Sequence, residues 1–184
     1  MINLNRLVNF VSPFYENKDI MHNLSHIERM ITCAKMLIQE HGLKVDENII
    51  IYGSYFHGFI YRDEELIKDF LREEDLSEEY VGRIVLAAWE SQKDEDAKTS
   101  EGMVLHDAHL IEGGKTFLIV KSLVTGTARG QKLEETIDYI ECNILGKGKC
   151  YYPLAQELYR EKEEYAREFM RELRVGLCGA STSV

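Results

Sequence analysis

Six histidines are spread unevenly along the 184 residues. His22 and His26 lie four apart, His57 ends an apolar run, and His106 and His109 flank Asp107. Neutral imidazoles with a carboxylate suit zinc, iron or manganese. An ion held with open positions activates a water nucleophile. Each residue also has a plainer role available. A lone histidine on an apolar face is commonly a hydrogen-bonded core residue, and an aspartate on a helix commonly faces water. His41, beside Gly42, fits a favourable interaction with a helix C-terminus.

The elements that must position these residues read as helices throughout, because the apolar spacing follows the helical period and no strand pair stands out. Residues 1–17 form a helix interrupted near Pro13. Ser25 and Glu28 make an S-x-x-E capping box that starts a helix at about His26. Ile27, Met30, Ile31, Ala34, Leu37 and Ile38 give it one apolar face, and Gly42 ends it. Asp46 caps residues 47–57, which are apolar nearly all round, as expected of a central helix; the run Ile49-Ile50-Ile51 would also suit a buried strand. Further helices are predicted over 63–73, 77–93, Thr99 to Glu112, 115–124, 131–146 and 153–174, with Gly113-Gly114 as a break. The expectation is one all-α domain over residues 1–178, with 179–184 a frayed tail.

Composition narrows the function classes. A net charge of −10 disfavours a nucleic-acid polymer as partner. It leaves room for a small phosphorylated substrate, because a bound divalent cation reverses the local field. No apolar run approaches the ~18 residues of a membrane span, so no membrane partner is expected. No basic stretch with an apolar core opens the chain, so export is not expected and a cytoplasmic location is. Cys33, Cys142, Cys150 and Cys178 have no Cys-x-x-Cys spacing and read as reduced thiols. The charged face of the last helix reads as solvated. The oligomeric state is open, a homodimer included.

Three segments carry a resemblance: Ser25-His-Ile-Glu-Arg29, Tyr55-Phe-His-Gly58, and Thr99-Ser-Glu-Gly-Met-Val-Leu-His-Asp-Ala108. In order and spacing they resemble the signature blocks of the HD-domain metal-dependent phosphohydrolases, over roughly residues 18–174. The small stand-alone bacterial members, some of which hydrolyse nucleotides, are most alike. The resemblance implies an HD-type helical bundle and a divalent ion (manganese, iron, zinc or magnesium) held by His26, His57 and Asp107. It implies hydrolysis of a nucleotide or other small phosphate ester.

The chain departs from that pattern where the family's doublet aspartate would follow His57, because Gly58 stands there. One ligand and one negative charge are thereby missing. His22 and His109 are candidate substitutes. A histidine often stands near the position of Glu90 in the family, so Glu90 is expected at the pocket as ligand or general base. Arg29, at i+3 from His26, is the expected phosphate contact. Lys115, Lys121 and the segment Thr125 to Lys132, read as a loop without P-loop order, form a second candidate group. The alternative is a degenerate HD domain that binds a ligand or partner without hydrolysis. A helical scaffold whose histidines merely pack is a third reading.

Overall fold

Short polar side chains start five of the helices. Asn3, Asn23, Asp46, Ser77 and Thr99 each accept a backbone N–H from the first turn beyond them. The computed structural model describes residues 2–179, with side chains through Leu177, and among these residues it contains helices and no strands. Cys178's side chain and residues 180–184 of the expected tail lie outside the described residues, while Gly179 belongs to the last helix.

In chain order the helices are α1 (Leu4–Val11), α2 (Leu24–His41), α3 (Glu47–Phe56), α4 (Ile60–Glu73) and α5 (Glu78–Glu90). Then come α6 (Ser100–Ile111), α7 (Phe117–Ala128), α8 (Leu133–Asn143) and α9 (Pro153–Gly179). A 3-10 turn at Ser12–Phe14 accounts for the break at Pro13. The capping-box expectation is corrected by two residues. Asn23, not Ser25, is the cap of α2, and it receives the Ser25 N–H at 3.0 Å. The segment from Thr125 is not a loop either: Thr125–Ala128 is the last turn of α7.

Ile49, Ile50, Tyr52, Tyr55 and Phe56 bury α3 on nearly all sides, which resolves the helix-or-strand ambiguity. It packs against α1, α2, α5 and α6. At Gly53 the Leu105 side chain of α6 packs so near that an added Cβ would lie 2.6 Å from its Cδ1. One apolar cluster joins α1 through α6. A second, built on Leu118, Ile137, Ile140, Ala166 and Met170, holds α7, α8 and α9 together. Gly113 and Gly114, at φ 72° and 70°, turn the chain from the first layer into the second. The site lies where these two layers face one another.

Candidate metal centre

His26 sits in the first turn of α2, His57 immediately follows α3, and His109 is in the last turn of α6. Each has a ring nitrogen within 4.8 Å of those of the other two. The rings of His57 and His109 are closest, 4.4 Å between centroids, and His26 stands 5.4 and 5.5 Å from them.

Neighbouring groups fix which nitrogens face inward. The Ser91 hydroxyl donates to the Ala88 carbonyl at 2.6 Å, so its oxygen is left to accept from His57 Nδ1 at 2.7 Å. That contact favours the proton on Nδ1 and a free lone pair on Nε2, although the Gln92 amide nitrogen also lies 3.1 Å from Nδ1. His26 Nδ1 lies 2.8 Å from Glu112 Oε2, at an angle short of a well-formed hydrogen bond. His109 Nδ1 is buried without a hydrogen-bond partner.

All three imidazoles are held neutral. Burial lowers His26 to about 4 despite the pull of Glu112. Burial, then the neighbouring His26, takes His57 well below the ordinary imidazole value, and burial, then His57, does the same to His109. Glu112 goes the other way: burial opposes its charge, but His26 and Lys121 prevail and hold the carboxyl down to about 2. Arg29 Nε at 3.2 Å and Lys121 Nζ at 2.7 Å complete its surroundings.

Several expected site residues lie elsewhere. Asp107 is fully buried, but its two oxygens accept the backbone N–H groups of Tyr151 and Tyr152 at 2.8–3.0 Å. It anchors the start of α9 and does not join the histidine cluster. The reason is helical geometry: His109, two residues on, faces the pocket while Asp107 faces away from it. Glu90 is likewise turned inward. It accepts the N–H groups of Lys98 and Thr99 and the Thr99 hydroxyl, tying α5 to α6. Arg29 does not line the cavity; it bridges Glu112, Ser25 and the Phe117 ring. His22 does line it, yet stays outside the cluster and pairs through Nδ1 with Asp19 at 2.9 Å. Lys115 lies over Tyr165.

Glu112 and Lys18 are among the residues at the site that went unread in the sequence. Glu112 is three residues after His109, hence on the same helical face, and that register is the signal that would have found it. Lys18 donates to the Gly58 carbonyl at 2.5 Å and stacks over Tyr15. No helical register links it to the site, because it precedes α2. Burial, then Arg62, lowers its pKa.

Above the imidazoles a cavity of about 460 Å³ opens between the layers. Lys18, Lys93, Lys121, Arg129, Lys147 and Lys162 line it, against Asp94 and Glu112 as the acidic side chains. A strongly acidic chain thus concentrates cations around one cavity. Tyr61, Phe117, Tyr139 and Tyr159 supply aromatic surface, and Ser122 and Thr125 supply hydroxyls from α7.

No family model and no curated protein sequence matches the chain. Solved structures do. Bacillus subtilis YpgQ superposes with a TM-score of 0.73 at 17% identity, over 96% of this chain and 97% of that one. The same protein in complex with ADP gives 0.73 at 16% identity, over 94% and 93%. The Lin1889 protein from Listeria innocua gives 0.70 at 18% identity, over 95% and 96%. The likeness is one of fold. It extends over the whole single all-α domain.

Proposed function

We propose that this chain is an HD-type, metal-dependent phosphohydrolase acting on a nucleotide or other small phosphate ester. Its ion would be held by His26, His57 and His109, with His109 standing where an acidic ligand was expected. The observation that carries this reading is the convergence of these neutral imidazoles at the floor of a cation-lined cavity. The donor set fits a divalent ion: the rings are unprotonated, and His109 Nδ1 is buried without a well-formed hydrogen bond. Nitrogen donors suit zinc, iron or manganese; magnesium, which prefers oxygen ligands, fits least.

When bound, such an ion acts as a Lewis acid toward a phosphoryl oxygen and lowers the pKa of water. The chain's own groups do the rest. Ser91 and Glu112 orient the His57 and His26 rings. The Lys121 ammonium lines the same cavity and is held beside Glu112. Glu112 is too firmly ionised to serve as a base near neutrality. His22 suits that role better: Asp19 holds its Nδ1, so Nε2 is free to take a proton from an attacking water. The cavity walls bear tyrosine and phenylalanine rings that a base can stack on, and a protein of the same fold binds ADP. No helix among the described residues is long and apolar enough to cross a membrane. A cytoplasmic location is part of this proposal, and the free thiols of Cys33, Cys142 and Cys150 suit a reducing compartment.

The test is metal analysis of protein purified without chelator, followed by phosphate release from a panel of nucleotides and phosphomonoesters with added manganese or zinc. Bound metal and turnover of one class are expected; neither metal nor turnover would overturn the reading. Gly58 favours a second one, ligand binding without hydrolysis. The space beside it is filled by Tyr15 and Lys18, so no acidic side chain completes the ligand set. Metal-independent binding of ADP without turnover would select it.

A further inference from the structure

A Cβ built on Gly58 would lie 2.6 Å from the Tyr15 hydroxyl and 2.8 Å from Lys18 Nζ. Tyr15 cannot easily withdraw. It is buried, its hydroxyl donates to the Tyr55 carbonyl at 2.8 Å, and that oxygen accepts the Gly58 N–H at 3.1 Å. The position next to His57 therefore holds an ammonium group, fixed over the Tyr15 ring at 4.7 Å. The other cations at this depth are already engaged. Lys121 pairs with Glu112, and Lys162 donates to the carbonyls of Leu110 and Glu112, at 2.7 Å in every case. Lys18 has one oxygen partner, the Gly58 carbonyl, and no carboxylate within 4.0 Å among the described residues. An ammonium carries three donors, so two remain for a ligand in the cavity that Lys18 lines.

We propose that Lys18 is an oxyanion-binding residue: it takes a phosphate oxygen at the floor of the cavity, directly beside His57. The site would then hold one cation on the imidazoles and one oxyanion on Lys18, rather than a second cation. The proposal rests on the phosphate-ester reading of the cavity, but it concerns phosphate recognition and not turnover. A charge-assisted hydrogen bond in a partly enclosed site contributes substantially to anion binding. The same positive charge opposes a divalent ion nearby. The two ligands must therefore respond to its removal in opposite directions.

The experiment titrates metal-free protein with inorganic phosphate and, separately, with zinc, by calorimetry on the unmodified chain, Lys18→Met and Lys18→Arg. Lys18→Met is expected to weaken phosphate binding by about tenfold and to tighten zinc by about threefold. Lys18→Arg keeps phosphate binding within about threefold of the unmodified chain, since the guanidinium supplies equivalent donors. Unchanged phosphate affinity in Lys18→Met would overturn the proposal. So would a joint loss of phosphate and zinc binding, which marks Lys18 as only a latch on the Gly58 carbonyl. A readout without mutation guards against misfolding. Phosphate should protect Lys18, but not the exposed Lys35, from an amine-acetylating reagent followed by peptide mass spectrometry; equal modification of Lys18 with and without phosphate also counts against it. Phosphate binding that depends on Lys18, in a chain with no metal and no turnover, would uphold the proposal while the hydrolase reading fell.

Discussion

Two buried acids, Asp107 on α6 and Glu112 at the C-cap of that helix, are neutralised in opposite ways. Asp107 is wrapped by backbone N–H groups from Tyr151 and Tyr152. Glu112 is surrounded by side chains that titrate or carry charge: His26, Arg29 and Lys121. Backbone donors cannot be exchanged, so the first carboxylate belongs to the fold. Side-chain partners can be redistributed when a ligand arrives, so the second belongs to the site. A buried acid's donors, more than its burial, separate the two roles.

The sharpest way to break that contrast is Asp107→Ala. It orphans two buried N–H groups at the start of α9 and is expected to cost about 3 kcal/mol of unfolding free energy. Urea denaturation measures it. The fraction that still folds should bind zinc as well as the unmodified chain; a loss of zinc affinity at unchanged stability would make Asp107 a ligand after all.

Acid should act on the Glu112 side in two stages. His26 titrates at about 4 when folded against 6.5 when exposed, so the unfolded chain binds the extra proton. Its contribution is complete above about pH 6.5 and is lost as pH falls toward 4, about 3 kcal/mol in all. His57 and His109 share the direction. Glu112, held at about 2 against 4.5, adds stability above 4.5 that disappears as pH falls through that lower window. Denaturation of metal-free protein across pH 7 to 3 reads the first stage and the upper part of the second. A stability that stays flat from 6.5 to 4 would mean the imidazoles are not buried as neutral rings.

The legibility of the chain divides along the same line. The helices were readable because their caps and apolar faces are local: Asp46 caps where expected, and the helices predicted to open at residue 77 and at Thr99 do start there, with Ser77 and Thr99 as caps. His26 and His57 were readable as members of the candidate cluster because motif order carried them. Asp107 was not, because a motif says that an acid is present but not which way it turns. Two residues of helix separate it from His109, enough to face opposite sides. Lys18 and Glu112 were hidden for a further reason. Their roles depend on contacts across 40 and 86 residues of chain, to Gly58 and His26. No spacing rule reports such contacts.

His109→Ala tests the cluster itself. Removing one of its nitrogen donors should lower zinc affinity by at least about 100-fold, the upper end of what loss of a supporting partner alone produces. His106→Ala is the matched control. His106 is on the same helix, beside Tyr151 and outside the cavity lining, so zinc affinity should hold. Equal losses in the two variants would show that α6 packing, not ligation, is being measured.

Glu112→Gln makes the finest cut between the two acids. The amide oxygen takes the place of the carboxylate oxygen 2.8 Å from His26 Nδ1, so the ring keeps its surroundings while the charge behind it disappears. A less basic imidazole holds a cation less well, and about a tenfold drop in zinc affinity is expected. Lys121 and Arg29 are released at the same time, since the charge that both faced is gone. Phosphate binding should therefore rise modestly as zinc binding falls. Asp107→Asn, the parallel change, faces the Tyr151 and Tyr152 N–H groups, with His106 Nδ1 3.7 Å away, and should move stability while leaving both affinities in place. If Glu112→Gln instead behaved like Asp107→Asn, Glu112 too would be part of the scaffold, and its ring of charged partners would be packing rather than chemistry.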